Sequence, residues 1–197
     1  MSVEVVSTFL ALLALGAGFG VLATLTLWVL DRIGLVPGAM DGFTELVRPA
    51  ALWLAFLVAA VAMAGSLYFS IGAGFVPCDL CWYQRIAMYP LAPILAVAAL
   101  RRDPRVAWYA VPVALIGAAL SIYHIGVERL PGMPSAWCSL QSPCNVIWVE
   151  RFGFVTIPTM ALLGFLAIVT LLLVYARPAP AAEETRDHLI TNTEPIS

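Results

Sequence analysis

Residues 50–69 run AALWLAFLVAAVAMAGSLYF, twenty positions in a row without a charged side chain. A hydrocarbon core about 30 Å thick needs ~20 predominantly apolar residues in helical form, so this stretch predicts a membrane-spanning helix. Four further predominantly apolar runs occur at Val5–Leu30, Leu80–Leu100 (interrupted by Arg85), Val106–Val127 and Thr156–Tyr175. Of the 197 residues 62% are hydrophobic and 11% charged, with a mean hydropathy of +0.94. Soluble domains carry roughly 45–50% apolar and about 25% charged residues, which excludes a water-soluble globule. The expected fold is an all-α polytopic membrane bundle of five antiparallel helices.

The first run has Glu4 where a signal peptide would have basic residues, and it exceeds a signal-peptide core in length. It is therefore expected to be retained as a helix. The polar stretch Asp31–Pro49 follows, with a turn at Pro37-Gly38 and Pro49 expected at the next helix start. Gly72, Gly74 and Pro77 break the second run, Pro90 and Pro93 tilt the third, and Arg101–Arg105 makes a tight turn. Glu128–Arg151 is a loop, and the Ala/Pro-rich, then polar, tail Ala176–Ser197 is expected to be disordered.

A net charge of −2 offers no field for a nucleic-acid partner. The placement of charge says more. With five spans, Arg32, Arg48, Arg101, Arg102, Arg105, Arg177 and Arg186 share one side of the membrane, and only Arg85, Arg129 and Arg151 the other. Basic residues accumulate on cytoplasmic loops, so the first side is expected inside and the N-terminus outside. Both cysteine pairs then face the exterior, where disulfides form and persist.

Cys78-Asp79-Leu80-Cys81 stands directly ahead of an apolar helix. Unpaired N–H groups and the positive dipole end at a helix start favour a thiolate, the nucleophile of disulfide exchange. Arg85, one turn beyond Cys81, adds positive charge on the same face, and Asp79 opposes it. Trp82 stands where a c-type haem site would need His. A structural zinc site using all four cysteines is compatible with their spacing. Cys138 and Cys144, among Pro131, Pro134 and Pro143, lie in what the sequence predicts to be a polar, exposed loop. They suit either a loop-closing disulfide or one that exchanges with a partner thiol.

The stretch PCDLCWYQRIAMYP, residues 77–90, resembles the signature of the DsbB family of disulfide-forming membrane oxidoreductases, in its short-loop BdbC-like branch. Phe152–Pro158, within Trp148–Pro158, resembles the start of that branch's last helix. The resemblance covers Ala50–Tyr175. It implies three segments: an additional N-terminal transmembrane helix with a cytoplasmic loop (1–49), a four-helix redox core (50–175) and the tail (176–197).

The resemblance implies a quinone-coupled enzyme of the bacterial cell membrane. An extracytoplasmic thioredoxin-like protein would pass two electrons to a Cys138–Cys144 disulfide, then to Cys78–Cys81, then to ubiquinone or menaquinone in the bilayer. Cys138 would form the mixed disulfide, Cys144 would attack Cys78, and Cys81 would face the quinone. Arg85 would hold a quinone oxygen, and His124 lies about where the family places a quinone-side histidine. Read from the residues alone, Arg85 can also snorkel to the interface and His124 can be an interfacial histidine. Trp82, Tyr83, Trp137 and Trp148 suit an aromatic belt. Two rival readings are a vitamin K epoxide reductase-like enzyme, in which the loop cysteines come before the CxxC pair, and a non-enzymatic metal-binding membrane protein.

Overall fold

The computed structural model describes residues 2–130, 138 and 143–177. Five helices, α1 (Val3–Arg32), α2 (Ala39–Leu67), α3 (Asp79–Arg101), α4 (Val106–Arg129) and α5 (Ile157–Ala176), are each long and apolar enough to cross a membrane. Helices α2 to α5 close a ring in which each packs against two neighbours. Leu91, Leu95, Phe165, Ile168 and Leu172 fill its centre, and small residues such as Ala55, Ala59 and Ala114 let the backbones approach. Helix α1 lies outside the ring, mainly against α5 and also against α2. Phe19, Leu22, Ile86, Leu100 and Ile116 point outward, a surface that a bilayer solvates and water would not.

Four spans lie close to their expected limits, but α2 begins well before Pro49, which sits inside the helix. The Pro37-Gly38 turn itself starts α2: Gly38 takes φ +79, open to glycine, and donates its N–H to Asp31 Oδ1 at 2.8 Å. Met40 and Thr44 are buried one turn apart, so the polar stretch is an amphipathic extension of the helix. At its other end α2 widens into a π turn, Tyr68–Gly72. Together they make 34 residues. At 1.5 Å per residue that is about 50 Å, longer than the hydrocarbon core.

The loop after α4 ends in a small hairpin that the sequence pattern does not announce. β1 (Glu150–Arg151) pairs antiparallel with β2 (Val155–Thr156), Glu150 opposite Thr156. Phe152 (φ +55) and Gly153 (φ +75) make the turn, closed by the Phe154 N–H donating to the Arg151 carbonyl at 3.2 Å. Two consecutive positive φ values are the mark of a type I′ turn, where Asn-Gly is the usual signal and Phe-Gly is not. The hairpin aims Arg151 at the start of α1, where its Nε donates to Ser7 Oγ at 2.9 Å. Residues 131–137, including Pro131, Pro134 and Trp137, and the tail from residue 178 lie outside the described residues.

Candidate active site

After the break at residues 73–77 the backbone extends at Cys78 (φ −74, ψ 170), which becomes the N-cap of α3. Its sulfur accepts the Cys81 N–H at 3.3 Å, occupying one of the donors that a helix start leaves open. Cys78 and Cys81 are unbridged, with their sulfurs 2.6 Å apart. A disulfide measures about 2.05 Å, so oxidation asks for a small approach. The Cys81 thiol hydrogen-bonded to it holds the Cys78 thiol far below its ordinary range, at about 5; burial opposes this and His124 reinforces it.

His124, on α4 and 2% exposed, places Nε2 3.6 Å from Cys78 Sγ and 3.2 Å from the Cys144 carbonyl oxygen. Hydrogen bonds behind the ring fix its orientation. Ser121 Oγ donates to the Gly117 carbonyl at 2.9 Å, so it accepts from Gln84 Nε2 at 2.8 Å. Gln84 Oε1 is then left to accept from His124 Nδ1 at 3.4 Å. The Cys144 carbonyl can only accept, so Nε2 is a donor on that side, and the ring turns an N–H edge toward the Cys78 sulfur. Gln84 and Ser121 were not singled out from the sequence, although each lies three residues from a site residue, Cys81 or His124, on the same helix face.

Cys138 and Cys144 form a disulfide with Cα atoms 5.9 Å apart. Contrary to the expected exposed loop pair, Cys144 is only 2% exposed. It sits in a buried cluster with Cys78, Leu80 and Val127, against which Cys81, Tyr123 and Cys138 pack. Apolar contact with the start of α3 and the end of α4 outweighs the polar, proline-rich character of the flanking sequence. All four cysteines are therefore gathered at one end of the bundle.

Cys78, Cys81 and His124 also offer three donor atoms within 4.8 Å of one another. Two thiolates on one zinc ion, at about 2.3 Å each and tetrahedral, stand roughly 3.8 Å apart. At 2.6 Å the two sulfurs stand closer than two such zinc ligands. The disulfide also withholds Cys138 and Cys144 from the four-cysteine zinc set.

Beside Cys81 opens a cavity of about 310 Å³. Cys81, Gln84 and Arg85 give it a polar corner, and its remaining walls are largely apolar. His124 is not among its lining residues. Arg85 Nη2 donates to the Ser66 carbonyl at 3.0 Å, just before the π turn, and its guanidinium lies 5.2 Å from the Trp82 ring centre. Trp148, about half exposed, stacks on Phe75 (4.9 Å between centres), which stacks on Phe69 (5.9 Å). All three rings line the cavity.

A helical membrane bundle with a thiolate-favouring CxxC pair at a helix start and a second, bridged pair packed on it is a membrane thiol–disulfide oxidoreductase. The chain belongs to the family described as Disulfide bond formation protein DsbB, which matches residues 48–175. Disulfide bond formation protein C of Bacillus subtilis (strain 168) is 46% identical over 119 residues, 60% of this chain and 86% of that relative. Probable disulfide formation protein C 2 of Bacillus cereus is 42% identical over 128 residues, 65% and 92% of the two chains. A probable disulfide formation protein of Oceanobacillus iheyensis is 44% identical over 128 residues, 64% and 88%. No solved structure matches the chain. Helix α1 lies outside the family match.

Proposed function

We propose that this chain reoxidises an extracytoplasmic thioredoxin-like dithiol protein at a bacterial cell membrane and delivers the electrons to membrane quinone. Residues 50–175 carry the chemistry, residues 1–49 add helix α1, a short cytoplasmic turn and the first turns of α2, and residues 176–197 are a cytoplasmic tail. One observation carries this reading: Cys144 packs with Cys78 at the start of α3, and Cys81 lines the apolar cavity. The two cysteine pairs thus join an aqueous face to a lipid-accessible space.

In the first exchange a partner thiolate attacks Cys138, the Cys138–Cys144 bond breaks and Cys144 leaves with the electron pair. The partner's second thiolate then attacks its own bridged sulfur and frees Cys138, leaving the partner oxidised and the loop reduced. In the second exchange Cys144 attacks Cys78 of a Cys78–Cys81 disulfide and Cys81 leaves. Cys138 then attacks Cys144, and Cys78 leaves as the thiolate that Cys81 and His124 stabilise. The product has the loop pair bridged and the inner pair reduced.

The cavity fits a quinone. Its volume lies at the lower end of the ~300–1,000 Å³ typical of small-molecule sites, and apolar walls suit a ring and tail. A bound quinone supplies the final two-electron, two-proton sink. Arg85 keeps N–H donors beyond the one given to Ser66, and its planar fork suits a carbonyl oxygen. An N–H at His124 Nε2, 3.6 Å from the Cys78 sulfur, can stabilise Cys78 as it leaves as a thiolate.

The test is quinone reduction by the purified protein with a reduced thioredoxin-like donor. Turnover that vanishes in Cys81→Ser and slows in Arg85→Gln, with partner exchange intact in the latter, supports the assignment. Partner oxidation in the absence of any quinone and oxygen, at more than the two equivalents that the two cysteine pairs themselves can accept, would overturn it.

A further inference from the structure

Helix α1 is not part of the family match, yet it forms one side of the cavity. Leu10, Leu13, Ala14 and Ala17 line it, and their i, i+3, i+4, i+7 spacing makes them a single stripe along α1. We propose that α1 is a wall of the acceptor site that sets how much of a quinone's isoprenoid tail the site holds. This inference rests on the quinone reading above and adds a residue set to it.

Three observations support it. First, α1 is fastened at both ends of the stripe. Ser7, fully buried, accepts Arg151 Nε at 2.9 Å and donates to the Glu4 carbonyl at 3.1 Å, which ties the helix start to the hairpin after the redox loop. Farther along, α1 is so near α5 that a Cβ on Gly18 would come within 2.9 Å of Leu163 Cδ2. Second, the upper part of the wall is tight. A Cβ on Gly65 of α2 would stand 2.7 Å from Leu10 Cδ1, so Leu10 closes the α1–α2 seam beside the polar corner. Third, the stripe changes to alanine below that seam, where the opposite wall reaches Leu57 and Val61. Leu57 lies thirteen positions before Ser70, the last residue of the π turn to line the cavity. At about 1.5 Å per residue the slot extends roughly 20 Å along α2 and the π turn, the shape of a ring followed by a flexible apolar tail. Ala14 and Ala17 leave room for that tail, and a larger side chain at either position removes it.

The experiment uses the full chain in detergent with two probes, a long-tailed ubiquinone and a ubiquinone head without a tail. Quinone retained after purification is extracted and counted, and each probe is titrated as acceptor. Ala14→Phe and Ala17→Phe should retain less long-tailed quinone and weaken its apparent affinity by about tenfold or more, the effect of overfilling a packed site. Ala14→Leu should give an intermediate loss. The tail-less probe and disulfide exchange with the partner should be unchanged, which also shows that the variants fold. Leu12→Phe, on the exposed face of α1, should behave as wild type. Equal losses for both probes, or none for either, would overturn the role of α1. Wild-type protein that exchanges disulfides but neither retains nor reduces either quinone would instead overturn the quinone reading, and this inference with it.

Discussion

Cys78 combines three properties that a leaving thiolate needs: a backbone N–H donor, a neighbouring thiol donor and an imidazole 3.6 Å away. With its midpoint held at about 5, it is ionised throughout the neutral range and becomes protonated only in acid. In a Cys138→Ser/Cys144→Ser protein with the inner pair reduced, ultraviolet thiolate absorbance should therefore persist as pH falls and fade only around that value. Cys81→Ala and His124→Ala should each move the midpoint upward, by roughly one pH unit or more, because each removes a group that stabilises the charge. A midpoint in the ordinary thiol range in the parent would show that the N-cap arrangement does not activate the sulfur. The loop pair makes a complementary prediction. In Cys144→Ser, a Cys138 first bridged to a small aromatic thiol should pass that bond to a partner lacking its own resolving cysteine, the small thiol leaving, and the adduct should persist on a non-reducing gel because no Cys144 thiolate can reverse it. An adduct through Cys144 in the reciprocal variant would reverse the assignment. The inner pair was legible in the sequence because its meaning is local: spacing, a helix start and an arginine one turn on. The support of His124 was not, because Gln84 and Ser121 are 37 positions apart and meet only when α3 packs on α4.

Packing between helices carries the site as much as the cysteine motif does. The Phe165 ring of α5 occupies the place where a side chain on Gly117 of α4 would begin. The same Gly117 offers its carbonyl to Ser121, the far end of the hydrogen-bond line that reaches His124. Gly117→Ala should therefore separate α4 from α5 and lower stability by about 1–3 kcal/mol, the usual cost of overpacking. Phe165→Leu in the same chain should recover part of that loss, and a double-mutant cycle of thermal unfolding in detergent measures the coupling. Additive effects would mean that ring and glycine are independent. Such contacts explain which elements the sequence foretold. Long apolar runs specify a helix by composition alone, so α1, α3, α4 and α5 stood close to their expected limits. The start of α2 did not, because Asp41 and Arg48 resemble a loop until Met40 and Thr44 find an apolar neighbour. The hairpin depends on positive φ at Phe152, a residue type that gives no turn signal.

Helix order puts the start of α1, both cysteine pairs and the hairpin at one end of the molecule, and the α1–α2 and α3–α4 connections at the other. The three arginines of the cysteine end are all engaged by the protein. Arg85 donates to Ser66, Arg129 pairs with Glu150 at 2.7 Å, and Arg151 reaches Ser7 and Glu4. These arginines are kept there by the fold, so their number should not be taken as a competing topogenic signal. Among the described residues the opposite end carries six of the nine arginines, and its α3–α4 turn alone holds Arg101, Arg102 and Arg105. That end should face the cytoplasm, and a periplasm-dependent phosphatase should be inactive when fused after the tail and active when fused in the loop between α4 and α5. Replacing the three turn arginines with asparagine leaves three of these six against three. The membrane-insertion scale charges ~2.5–3.5 kcal/mol for an arginine at a helix centre, but the orientation bias works through loop charge, so helix insertion itself should survive this change. What should change is the balance of orientations: the C-terminal fusion should gain phosphatase activity, and partner oxidation in cells should fall in the same proportion, since inverted molecules present their cysteines to the wrong compartment. Unaltered fusion activity together with unaltered oxidation would mean that the turn arginines do not set the topology and that the charges on α2 or the tail do.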